Sequence, residues 1–186
     1  MSYKEKFAAA LNKSIELGLQ VDSDLLPFNR QELNAQERQE LLALCSEILP
    51  QLGFETSSDL ASRCIEVHTT IQSAIKMILG IDSTITIGDI HWPEHNYVYC
   101  KTSYERLIDE LGSPNHEADI KLHTWLTLVD GSILDCTSQA HADLLFDRGE
   151  RPIHECFSFI PLNEDNGYTP YLVGSHFLYK IGAIRY

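Results

Sequence analysis

The stretch HTWLTLVDGSILD, residues 123–135, decides the fold because it contains two strand patterns joined by a turn signal. Strand-like periodicity runs over residues 119–129, and a second short strand pattern covers residues 132–136. Asp130-Gly131 between them is a typical turn of an antiparallel hairpin. We therefore predict a hairpin at this point of the chain.

The length of the hairpin loop determines which face of the sheet Asp135 occupies. A two-residue loop at 130–131 would put the Asp135 carboxylate on the face opposite His123, since one residue of slip turns every later side chain over. A three-residue loop over 129–131, with its glycine in the left-handed region, pairs Trp125 with Asp135. The carboxylate then lies diagonally from His123, at about 5–8 Å between Cβ atoms. Because a buried carboxylate needs a partner, we predict the three-residue loop and a carboxylate–imidazole hydrogen bond.

Cys64 lies well upstream of the hairpin, at the start of an apolar segment with helical spacing. Ser62 is one possible N-cap for that helix, and Gly80 supplies its C-terminal stop. A helix N-terminus lowers the pKa of a thiol, and its free N–H groups can hold an oxyanion. A buried, inert cysteine on a core helix is the alternative interpretation. With His123 and Asp135 following in the chain, Cys64 is a candidate nucleophile.

The remaining elements predict an α+β fold, because helices come early in the chain and strands come late. An N-terminal capping box is expected at Asn34 and Glu37. We predict a single domain over 1–186, with a helical N-terminal extension over 1–52 and a core over 57–186. The further helices are predicted at 3–19, 34–50, 103–111 and 138–147, and the further strands at 83–90, 96–101, 153–160, 171–173 and 177–184.

The charge of the chain argues against several classes of partner. Its 14 lysines and arginines stand against 27 acidic residues, which gives a net charge of −13. Such a field repels nucleic acid and anionic membranes, so we expect neither as a partner. The first 20 residues contain no apolar targeting segment. Five irregularly spaced cysteines favour reduced thiols and a cytoplasmic setting.

A metal site is a weaker interpretation of the same chain. His91 and His95 flank Pro93, which excludes a helical pair of ligands. With Cys100 nearby, they leave open a zinc-supported structural domain. The glycine-rich motifs that bind nucleotides are absent from the sequence. We therefore expect neither a cofactor nor a metal.

The Cys64 segment and the hairpin together resemble the transglutaminase-like cysteine enzymes, which share a papain-like core. The resemblance rests on Cys64 opening a helix that ends Leu-Gly-Ile (79–81), and on His-x-Trp followed by Asp-Gly-x-x-Leu-Asp-x-Thr (123–137). It covers about residues 57–140. The resemblance implies Cys64 as nucleophile, His123 as general base and acid, and Asp135 as the residue that orients the imidazole.

The resemblance also implies acyl transfer from an amide or ester to water or an amine. We expect hydrolysis of a peptide, amide or small acyl substrate, with Trp125 and Trp92 as candidate substrate-binding residues. Papain relatives carry a glutamine shortly before the cysteine, and transglutaminases carry an upstream tryptophan. Neither precedes Cys64, so the second oxyanion donor stays open. A non-catalytic binding module that retains this fold is the alternative function.

Overall fold

The computed structural model describes residues 1–21, 27–28, 30–114, 121–162 and 167–185, and it has an α+β fold. Residues 119–120 of the predicted strand 119–129 lie outside this range. The described helices are α1 (Tyr3–Glu16), α2 (Ala35–Gln51), α3 (Ser57–Leu60), α4 (Cys64–Leu79), α5 (Tyr104–Gly112), α6 (Ser138–Leu145) and α7 (His176–Lys180). The described strands are β1 (Ser83–Trp92), β2 (Tyr97–Tyr99), β3 (His123–Leu128), β4 (Ile133–Asp135), β5 (Ser158–Ile160) and β6 (Tyr168–Val173).

The six strands form one antiparallel sheet around the long strand β1. β1 pairs with β2, β3 and β6, while β3 continues through β4 to β5. A bulge between Ile87 and Gly88 separates two registers of the pairing between β1 and β6. A side chain at Gly88 would collide with the Thr169 backbone, so this close approach of the strands requires glycine.

The hairpin between β3 and β4 has the register predicted from the sequence. Leu126 pairs with Leu134, and the Leu128 N–H donates to the Ser132 carbonyl at 2.9 Å, which leaves a three-residue loop. Gly131 has φ +85°, in the left-handed region that the loop requires. His123 and Asp135 consequently lie on the same face of the sheet.

Helices cover both faces of the sheet, which separates two buried clusters. The larger cluster packs α2 and α4 onto the face that carries Ile85, Leu126 and Leu134. The smaller one packs α1 onto the face that carries Trp125 and Ile133. The alternation of each strand therefore fills two cores, as expected for a sheet covered on both sides.

The N-terminal helices belong to these two cores. In α1, the Tyr3 hydroxyl accepts the indole N–H of Trp125 at 2.8 Å and lies 2.6 Å from the Thr127 hydroxyl. In α2, Leu41 and Leu49 are completely buried. Helices α1 and α2 thus cover opposite faces of the sheet that carries His123. None of the helices in the described ranges combines the length and apolar character needed to cross a membrane.

Most predicted boundaries are confirmed to within two residues, including the Asn34–Glu37 capping box of α2 and the glycine stop of α4 at Gly80. Helix α1 is shorter than predicted, because the chain leaves the helix at Gly18, where φ is +67°.

The strand predicted over 177–184 is wrong, because His176–Lys180 forms helix α7. Phe177 and Leu178 are neighbours in the chain and are both completely buried. In a sheet covered on both faces, consecutive buried residues occur in strands as well, so a short apolar run does not distinguish the two structures. Of the predicted strand 153–160, only Ser158–Ile160 is extended, and Ile153–Glu155 forms a 3-10 turn.

Candidate active site

The N-terminus of α4 places Cys64 as the first residue of the helix. Arg63 occupies the N-cap position and makes no side-chain cap hydrogen bond. Ser62 is therefore not the cap, and it lies just outside the helix with φ +65°. The first hydrogen bond within the helix runs from the Val67 N–H to the Arg63 carbonyl, at 3.0 Å. The N–H groups of residues 64–66 thus have no partner within the helix, and their dipoles favour a negative charge at the sulfur.

The predicted contact between His123 and Asp135 is present. The His123 Nε2 and an Asp135 carboxylate oxygen are 2.6 Å apart, and both side chains are completely buried. The carboxylate also accepts the Tyr168 hydroxyl at 2.8 Å and the backbone N–H groups of Thr137 and Ser138 at 2.9 and 3.0 Å. These donors hold the carboxylate in one position.

The charge state of Asp135 follows from these neighbours. Burial by itself would raise the pKa of its carboxyl group. The charge and hydrogen bond of His123 outweigh burial, with smaller contributions from His68 and the Thr137 N–H, and hold that pKa well below its usual range. Asp135 is therefore an anion, and it favours the protonated imidazole beside it.

The imidazole of His123 also interacts with the Cys64 thiol, and because Asp135 holds Nε2, this leaves the second ring nitrogen for that contact. This atom, Nδ1, is buried and makes no close hydrogen bond with any residue in the described part of the chain. Burial would lower the pKa of His123, but Asp135 and then the Cys64 thiol reverse that effect and raise the pKa to about 10. For the Cys64 thiol, burial acts in the opposite direction and by itself would raise the pKa. The imidazole, followed by the Thr124 backbone and hydroxyl, outweighs burial and lowers it.

The arrangement therefore favours a thiolate at Cys64 beside an imidazolium at His123, with Asp135 behind the ring. Aromatic rings enclose the imidazole on two sides: Trp125 stacks on it at 5.9 Å between ring centroids, and Tyr99 lies at 4.9 Å. Such a dry, preorganised setting strengthens electrostatic interactions between the three groups. Chemically, it can supply an activated sulfur nucleophile and a proton carrier.

His68, one turn after Cys64 on α4, is a second buried histidine at the site. Its Nε2 accepts the Cys136 N–H at 3.0 Å and lies 3.5 Å from an Asp135 carboxylate oxygen. Burial lowers its pKa to about 4, although the charge of Asp135 partly opposes that effect. His68 is therefore neutral at pH 7, and it fixes the chain next to Asp135 without supplying a charge.

Tyr168 is a further residue of the site that no local sequence pattern indicates. It lies 33 residues after Asp135, yet its hydroxyl donates to the same carboxylate oxygen that contacts His123. The pairing of β6 with β1 brings Tyr168 there, next to Ile90. Pairing between strands so distant in the chain leaves no local signal in the sequence.

An open cleft of about 1230 Å³ lies beside Cys64. The first turn of α4 forms one wall, and Tyr99 and Cys100 form part of another. His141 of α6 contributes to a third side, where its Nδ1 lies 3.2 Å from the Ser62 hydroxyl. Cys64 is only 6% exposed, but the surface it does expose is in this cleft.

The two tryptophans expected to bind substrate lie behind the cleft. Trp125 is completely buried and holds Tyr3 through its indole N–H. Trp92 is 7% exposed and stacks on Tyr99 at 5.1 Å between ring centroids. Neither tryptophan is among the residues that line the cleft: Trp125 stacks on the imidazole of His123, and Trp92 supports Tyr99. Tyr99 lines the cleft instead.

The histidines considered as zinc ligands do not converge with Cys100. Within the described ranges, no group of three or more histidine, cysteine, aspartate or glutamate side chains is arranged to hold a metal ion. His95 packs on Phe146 at 3.8 Å between ring centroids, and its Nε2 accepts an Arg148 N–H at 2.7 Å.

Comparison of the chain with protein-family models, with curated proteins and with solved structures finds no match. The functional argument therefore rests on the geometry of the site.

Proposed function

We propose that this chain is a cysteine-dependent acyl-transfer enzyme that hydrolyses a peptide or amide bond, with a papain-like core of the transglutaminase-like kind. The observation that carries the proposal is the arrangement around His123. Its Nε2 is held by Asp135 at 2.6 Å, and its Nδ1 is left for the thiol at the uncapped start of α4. Nucleophile, base and orienting carboxylate are the three parts that covalent acyl transfer needs.

The proposed reaction begins with the Cys64 thiolate attacking the acyl carbon. The carbonyl electrons move onto oxygen, and N–H groups at the start of α4 stabilise the oxyanion. The C–N bond then breaks, and the His123 imidazolium gives its proton to the departing amine. A thioester on Cys64 and a neutral imidazole remain.

The second half of the reaction releases the acyl group. His123 takes a proton from water, the oxygen attacks the thioester carbon, and the C–S bond breaks. The products are a carboxylic acid and the Cys64 thiolate, with the proton on His123 as at the start. Asp135 keeps Nε2–H directed at itself, so that Nδ1 faces the sulfur in both halves.

Acyl-enzyme trapping tests the proposal. The protein is mixed with a panel of 4-nitrophenyl esters and coumarin amides, and its intact mass is measured within the first turnover. We expect one acyl adduct, mapped to Cys64, and steady release of the chromophore. The Cys64→Ala variant should give neither, while Cys156→Ala should give both.

Absence of adduct and turnover across the whole panel, with the Cys64→Ala variant behaving as wild type, would overturn the proposal. If no adduct or turnover is found, but compounds of the panel bind equally well to wild type and Cys64→Ala, the non-catalytic binding module is favoured.

A further inference from the structure

The cleft beside Cys64 differs in charge from the rest of the chain. The chain carries a net charge of −13, yet five of its 14 lysines and arginines line this cleft. Among the carboxylates that the structure describes, only Glu66 lines it. The basic lining residues are Arg63, Lys101, Arg106, Lys121 and Arg185.

Four of these cations form no ion pair within 4 Å of a carboxylate in the part of the chain that the structure describes. Arg63 pairs with Glu66 at 2.5 Å, so the two charges cancel. Within the described ranges, no ion pair involves Lys101, Arg106, Lys121 or Arg185. Outside the cleft, four of the nine lysines and arginines form ion pairs, among them Arg30 with Glu37 and Arg151 with Asp143.

The four cations come from separate parts of the chain. Lys101 follows β2, Arg106 lies in α5, Lys121 precedes β3, and Arg185 lies beyond α7. Their meeting at one cleft is therefore a product of the fold and not of a local basic run. Like charges in one concave surface repel each other, and their fields add to attract an anion.

We propose that the substrate carries a negatively charged group, a carboxylate or a phosphate, close to the acyl bond that Cys64 attacks. This inference rests on the proposed function and names its substrate class. The single charge of the His123 imidazolium is outweighed by the charges of Asp135 and the thiolate, so the cations that line the cleft provide its positive field. An acidic acyl substrate would supply these cations with the anionic partner that no described residue provides in an ion pair.

A pair of small alkylating reagents tests this without knowledge of the substrate. Iodoacetate is an anion and iodoacetamide is neutral; with both, the thiolate forms a C–S bond and iodide leaves. The rates of Cys64 modification are measured by mass spectrometry, and each rate ratio of iodoacetate to iodoacetamide is compared with that of N-acetylcysteine. We expect a ratio raised by about 10-fold or more, which falls as salt is added.

Charge reversal distinguishes the cleft cations from the imidazolium, which also attracts iodoacetate. For Lys101→Glu and Lys121→Glu, the iodoacetate rate is divided by the same variant's iodoacetamide rate. We expect this ratio to be several-fold lower than in wild type. Lys4→Glu is the matched control, because Lys4 is exposed on α1 over the ring of Phe28. The substitution changes the net charge by the same amount as the two cleft variants do. Its ratio should equal that of wild type.

The source of the anion is tested by protection. Glutarate, inorganic phosphate and neutral glutaramide are compared as inhibitors of iodoacetamide modification. Protection by glutarate alone assigns a carboxylate, and protection by phosphate alone assigns a phosphate. Equal protection by glutaramide would overturn the anionic class.

The two proposals fail in different ways. If iodoacetamide modifies Cys64 no faster than Cys45 or Cys100, the nucleophile assignment fails. If Cys64 is the fastest thiol, but its ratio is independent of salt and equal in Lys101→Glu, Lys121→Glu and Lys4→Glu, the nucleophile stands and the anionic substrate is wrong.

Discussion

Two regions of the molecule bury cysteines, and they treat the thiol in opposite ways. Cys45 of α2 is completely buried together with Cys136 and Cys156. Neighbouring thiols and burial raise the pKa of Cys136, and burial raises that of Cys156 to about 11. Cys64 is almost as buried, yet its pKa is lowered. Burial is therefore not what separates the regions. The difference is the imidazole of His123, which Asp135 keeps charged.

The largest expected effect comes from removing one thiol from each region. Cys64→Ala should lower kcat/KM by more than about 10³-fold and change stability little. Cys156→Ala should keep activity and lose about 1 kcal/mol or more of unfolding free energy, because it leaves a cavity in the core. Turnover of a panel ester and urea unfolding of both variants measure this. Equal activity in the two variants would erase the distinction between the regions.

The next test removes the charge that separates the two regions. Asp135→Asn keeps the shape of the side chain but no longer favours the imidazolium, so kcat should fall by about 10²- to 10⁴-fold. Asp143→Asn is the matched control. Asp143 is also buried, and it pairs with Arg151 at 2.7 Å away from the cleft.

For Asp143→Asn, we expect lower stability with kcat close to wild type. If both aspartate variants lose activity in proportion to their stability, Asp135 has a structural role only.

A smaller effect is expected in the loop that sets the position of Asp135. Gly131 has φ +85°, and a Cβ there would collide with the ring of Phe28. Gly149 has φ +82° and open space around it. Alanine at either position is strained by the positive φ, at a cost of about 1 kcal/mol or more. Only Gly131→Ala adds the collision with Phe28.

Thermal unfolding should show a clearly larger loss for Gly131→Ala than for Gly149→Ala. Its kcat should fall as well, because movement of the loop shifts the strand that carries Asp135. An equal loss of stability in the two variants would mean that the loop tolerates a shift, and would weaken the link between loop register and site.

The sequence predicted the part of the site that is local in the chain. The residue spacing in 123–135 predicted the register and the shared face of His123 and Asp135, because strand alternation excludes the regular two-residue loop, which would put them on opposite faces. Helical spacing and a glycine stop located α4 and put Cys64 near its start. Each of these inferences needed fewer than about 20 residues of context.

The rest of the site depends on contacts between distant segments. Tyr168 reaches Asp135 through strand pairing, and His68 does so through the packing of α4 on the sheet. Lysines and arginines that line the cleft likewise come together only after folding. The burial of Trp92 and Trp125 was not predictable for a related reason: aromatic residues near a candidate site can contact substrate or support other rings, and the local sequence pattern does not show which of them are buried.

The ionisation of Cys64 tests the central claim most directly. Thiolate ultraviolet absorbance is titrated in wild type and in Cys64→Ser, and the difference gives the titration of Cys64 alone. A lowered pKa means that the thiolate persists as the pH falls below about 8.5, where an ordinary cysteine protonates. We predict a thiolate signal at pH 7 that is lost in His123→Gln. A difference signal that rises only above pH 8.5, and is unchanged in His123→Gln, would contradict the account.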